Sequence, residues 1–102
     1  MLFRSARRAK GQDTASWIES VQKLVDSQLY GDAIRELQDL TRVFPNSPDA
    51  HLLIAQVYTR QRDYDRAAQE IDITLRLAPD DTAALKLKED SEKQSPSRRN
   101  RQ

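Results

Sequence analysis

The sequence predicts an all-α protein in which antiparallel helix pairs stack as repeats, five helices in all. Three observations carry this. The chain overlays on itself at an offset of 34 residues without a gap, residues 14–47 on residues 48–81. Within each copy, apolar side chains recur at three- and four-residue intervals, the spacing of one helical face. Gly 2 and Pro 4 leave little material for turn-rich β structure. In the overlay Trp17 meets His51, Val21 meets Ala55 and Tyr30 meets Tyr64. Ala33 meets Ala67, Leu37 meets Ile71, Leu40 meets Thr74 and Pro45 meets Pro79. A period of this length marks a unit that cannot bury its apolar face alone and covers it with a copy of itself.

The elements follow in order. Residues 14–27 form the first helix, with Trp17, Val21, Leu24 and Val25 on one face. Ser16 with Glu19 can make a capping box at its start, or Asp13 can cap it instead. Leu29-Tyr30-Gly31-Asp32 reads as the turn. The second helix carries Ala33, Ile34, Leu37, Leu40, Thr41 and Phe44, and Pro45-Asn46-Ser47-Pro48 ends it, because a residue before proline avoids the helical region. Ser47 followed by Pro48 is an N-cap followed by a first-turn proline, so the third helix starts there. Its face is His51, Ile54, Ala55 and Tyr58. Gln61-Arg62-Asp63 is the second turn, and the fourth helix carries Tyr64, Ala67, Ala68, Ile71, Leu75 and Leu77. A fifth helix starts near Asp80 or Asp81, which suit a helix N-terminus, and runs to about Lys93. With an apolar edge of Ala83, Ala84, Leu85 and Leu87 and a charged outer side, it reads as the cap of a repeat stack.

Charge divides the chain into three parts. Residues 1–12 are a basic arm with Arg4, Arg7, Arg8 and Lys10 and no acid; residues 95–102 are a basic tail with Arg98, Arg99 and Arg101. All 16 acidic residues and ten of the 17 basic ones lie between, so the body counts −6 and the two ends +7. The domain is therefore 13–94: repeat one 14–47, repeat two 48–81 and a capping helix 82–94. Cys 0 excludes a disulfide framework and a thiolate metal site, and no apolar run approaches membrane-spanning length.

The repeat length, the helix–turn–helix content and the residue types resemble the tetratricopeptide repeat. The second copy carries the pattern in Ile54-Ala55, Tyr58, Tyr64, Ala67, Ile71 and Pro79. The first keeps Trp17, Tyr30, Ala33, Leu37 and Pro45 and departs at Ser20 and Val21, where the family favours leucine followed by glycine or alanine. That departure loosens the expected packing of the first hairpin. The resemblance implies a concave inner surface, lined by the first helix of each pair, that holds a peptide or a partner's helix. It implies a non-catalytic protein–protein interaction module: an adaptor, an assembly factor or a small co-chaperone.

By helical phase the inner surface holds Ile18, Gln22, Val25, Leu52, Leu53, Gln56, Thr59, Arg60, Lys86 and Asp90. One subclass of the family clamps a C-terminal carboxylate with lysine and asparagine on these helices. Here the corresponding places hold Ile18, Gln22, Leu53, Ala83 and Leu87, so the resemblance favours an apolar or amphipathic segment in the groove instead. Leu52 and Leu53 carry a second reading, as residues that merely close a small core. Trp17 reads as core, and His51, the single histidine, as a satisfied interface residue rather than a metal ligand. No nucleophile, base and orienting group can be assembled, and Gly11 and Gly31 make no phosphate loop, so neither catalysis nor a cofactor is expected.

The basic arms carry three readings: solvated tails, docking on nucleic acid, anionic membrane or an acidic protein face, and, for the N-terminal one, an organelle presequence. Localisation is accordingly read as cytoplasmic, with a mitochondrial or other organelle matrix as the alternative. Size adds an expectation. Repeat arrays need about three units for independent stability, so two repeats and a cap point to a docked subunit of a larger complex or to a homo-oligomer.

Overall fold

The computed structural model describes residues 14–94, and the two basic arms lie outside them. Five helices follow in chain order: α1 (Thr14–Asp26), α2 (Tyr30–Val43), α3 (Pro48–Arg60), α4 (Tyr64–Leu77) and α5 (Thr82–Gln94). No strand occurs among the described residues. Each helix packs on the next, and α1 also touches α3, and α3 touches α5. The first helices of the pairs therefore form one layer, and α2 and α4 form the other. This is the all-α stack of antiparallel helix pairs that the period requires.

The turns repeat as the sequence does. Gln28 and Arg62, 34 residues apart, both take a left-handed backbone with φ 63 and end the first helix of their pair. The first turn is thus shorter than the reading of Leu29–Asp32 allowed: Tyr30, Gly31 and Asp32 already belong to α2. Gly31 drew the turn towards itself, yet it sits in a helix with no positive φ. The caps also divide. Ser47 Oγ accepts from Ala50 N at 3.3 Å with Pro48 in the first turn, and Asp63 Oδ1 accepts from Arg66 N at 3.3 Å. Asp81 rather than Asp80 caps α5, accepting from Ala84 N at 3.1 Å. Ser16 lies inside α1, where its carbonyl accepts from Ser20 Oγ, so it is not the N-cap; Asp13 lies outside the described residues.

Leu29 stands at the N-cap of α2 with no side-chain cap bond, 48% exposed, where the second copy has Asp63. Leu29→Asp is therefore expected to stabilise the chain by roughly 0.5–2 kcal/mol, read as a rise in the urea midpoint.

The interior is built from the aligned positions. Val21, Ala33, Leu37 and Leu40 are fully buried in the first hairpin, and Ala55, Ala67 and Thr74 in the second, with Ile71 all but so. Thr74 replaces Leu40 without an orphaned hydroxyl, because its Oγ1 donates to Glu70 O at 2.9 Å. The second hairpin is packed more closely than the first. Ala55 and Ala67 let two backbones approach; Val21 stands in the place of Ala55 and holds α1 further from α2.

The two ends of the described stack differ. Position by position, the face that α3 lays on α2 (Ala50, Leu53, Ile54, Val57) corresponds on α1 to Ser16, Glu19, Ser20 and Lys23. Three of those four are exposed, so α1 offers solvent a polar surface where an inner repeat would be apolar. At the other end α5 buries only Ala84 and Ser91. Leu85, expected on its apolar edge, is 47% exposed. It occupies the place of Trp17 and His51, which pack beneath a second helix, and no described helix follows α5 to cover it. Leu77 and its counterpart Val43, at the ends of α4 and α2, are exposed as well.

Candidate functional site

A bond that the periodicity contained but residue types alone did not reveal ties each hairpin. Trp17 Nε1 donates to Glu36 Oε1 at 3.2 Å, and His51 Nδ1 lies 2.8 Å from Glu70 Oε1. Glu36 and Glu70 are each 19 residues beyond their ring partner and 34 from one another. Trp17 also packs edge-on against Phe44, centroids 6.5 Å apart. His51 has a second link: its Nε2 lies 2.9 Å from the carbonyl of Pro45, in the exit turn of the preceding repeat. His51 is thus a structural joint between repeats, engaged at both nitrogens.

The inner layer, α1, α3 and α5, places the groove residues in two groups. Val25, Leu53 and Leu52 are 1%, 4% and 9% exposed and form the floor. Burial is what the core-closing reading of Leu52 and Leu53 expects, and Val25 shares it. Ile18, Gln22, Gln56 and Thr59 are half-buried, and Arg60 and Lys86 are exposed; these remain within reach from outside. Gln22 donates to Asp26 Oδ1 at 3.3 Å and Thr59 Oγ1 to Ala55 O at 2.8 Å. Lys86 Nζ lies 3.9 Å from Asp90 Oδ2 on an exposed face. Gln56, between the two ends, makes no side-chain hydrogen bond among the described residues, and Arg60 no ion pair there.

The outer layer is chemically different. Arg35 pairs with Asp32 at 2.6 Å, Arg42 with Asp39 at 3.0 Å and Arg66 with Asp63 at 3.6 Å, all three residues apart along the chain. Such pairs add little to stability but neutralise one another on a solvated face. The seven basic-arm residues Arg4, Arg7, Arg8, Lys10, Arg98, Arg99 and Arg101 lie outside the described residues. No helix among the described residues is long and apolar enough to cross a membrane.

The paired helices, the shared left-handed turns and the aligned cores define a helical repeat protein of the interaction type. The Tetratricopeptide repeat family matches residues 20–82, more than half of the chain, and the chain belongs to that family. Its members generally mediate protein–protein interaction and are generally non-catalytic. No curated protein matches the chain.

Proposed function

We propose that the chain is a non-catalytic adaptor or assembly factor that holds an apolar or helical segment of a partner protein along the inner faces of α1 and α3. One observation carries this reading. On the inner helices Ile18, Gln22 and Gln56 are half-buried and Arg60 is exposed, and among the described residues Gln56 makes no side-chain hydrogen bond and Arg60 no ion pair, so an apolar surface and open polar groups stand side by side. An amphipathic segment laid there covers Ile18 and finds hydrogen-bonding groups at Gln22 and Gln56. Arg60, exposed and without an ion pair among the described residues, suits an acidic residue at one end of that segment.

The test is a pair of variants assayed against the partner recovered from the native host. Gln22→Arg with Gln56→Arg is expected to weaken binding at least about tenfold, with the melting temperature nearly unchanged because polar, partly exposed sites contribute within about 0.5 kcal/mol. Deleting residues 1–10 and 95–102 is expected to leave binding within about threefold. If the deletion abolishes binding, with a steep salt dependence, and the groove variant does not, the basic arms carry the affinity and the reading fails.

A further inference from the structure

The cap helix is a poor copy of the helix it imitates. α3 lays Ala50, Leu53, Ile54 and Val57 against α2, all 4% exposed or less. The corresponding residues of α5 are Ala84, Leu87, Lys88 and Ser91. Of these Leu87 is only half-buried and Lys88 is exposed. Ser91 is 3% exposed, and its Oγ has no hydrogen-bond partner. A small, partly open cleft lies beside it, lined by Ala68, Ile71 and Asp72 of α4 and by Lys88 and Glu92 of α5. A buried hydroxyl without a hydrogen-bond partner, beside a loosely packed cleft, is a net cost to the helix that carries it. The charged positions Glu89, Glu92 and Lys93 add no apolar contact in return, and α5 is held at its far end by an exposed bond from Tyr64 Oη to Gln94 at 3.2 Å.

We propose that α5 is a displaceable lid over a helix-docking site on α4, and that the site takes an amphipathic partner helix with aliphatic side chains where α5 has Lys88 and Ser91. The chemistry of the occupant is read from the equivalent interface in the same molecule. Where α3 docks on α2, the same two positions are Ile54 and Val57, both buried. A helix of that kind fills the cleft beside Ile71 and leaves no orphaned hydroxyl. The lid competes because it is tethered by the short turn after Leu77, which gives it an effective concentration on the order of millimolar. Local opening of this one helix leaves the α1–α4 stack closed, since each unit of a repeat array contacts only its neighbours.

The experiment uses the full chain and a labelled peptide of residues 82–94 carrying Lys88→Ile and Ser91→Val. In native-state hydrogen exchange of the free chain, amides of α5 are expected to exchange at least about tenfold faster than the slowest amides of α3 and α4. The peptide is expected to bind saturably, and to bind at least about tenfold more weakly to a chain carrying the same two substitutions in its own α5. Exchange of α5 only together with α3 and α4 would overturn the proposal. So would equal binding of the peptide to both chains, which would seat it elsewhere, for example on the inner groove. The groove reading stands or falls separately, because Ile18 and Gln56 lie on other helices.

Discussion

Leu37→Ala and Ile71→Ala are each expected to lower the melting temperature by roughly 10–30 °C, followed by circular dichroism at 222 nm. The two residues stand at the same place in the two hairpins, 0% and 1% exposed, in the middle of the second helix of each pair. Removing three carbons there forfeits their transfer out of water and leaves a cavity that helices already in contact cannot close, a combined cost of about 2–5 kcal/mol. A domain of this size holds a surplus of only about 3–5 kcal/mol, so either variant takes most of it. Similar losses at the two positions would show that the hairpins carry equal weight. A drop of under about 4 °C at either would mean that the aligned positions are not the core.

Trp17→Ala is expected to cost about 3–5 kcal/mol and to leave much of the chain unfolded at 25 °C. Trp17 is 5% exposed, meets Phe44 edge-on and donates to Glu36. Truncation removes the largest side chain of the first hairpin and both of those contacts together. Trp17→Phe separates them: it keeps a ring in the core and loses the donor, so its expected cost is only about 1–2 kcal/mol. Urea titration of the two variants reads the difference. If Trp17→Phe were as damaging as Trp17→Ala, the tie to Glu36 rather than ring burial would be holding the hairpin.

Most of the architecture was legible in the sequence, and the reasons lie in particular residues. The period fixes which positions are buried, and Ser47-Pro48 and Asp63 mark helix starts through side-chain chemistry that acts within three residues. The first turn was misplaced because Gly31 was weighted over the register; moving Gln61-Arg62-Asp63 back by one period lands on the observed turn. Leu85 was placed on the buried edge by its hydrophobicity, but burial needs a neighbour, and the position of Trp17 and His51 has none on the last helix. The same limit applied to the groove. Helical phase puts Val25, Leu52 and Leu53 on the inner side, yet how closely first helices approach one another decides whether an inner residue is floor or surface. That distance is a property of three helices together. Glu36 and Glu70 were missed for a different reason: a carboxylate on a helix reads as solvated unless its distance from Trp17 and His51 is compared between copies.

The most direct test of the groove is site-specific photocrosslinking in the native host. A photoreactive residue placed at Gln56 on the inner face of α3 is expected to capture the partner protein, and the same group at the exposed Gln38 on α2 is not. Adducts from position 38 with none from position 56 would put the partner on the outer layer and contradict the account.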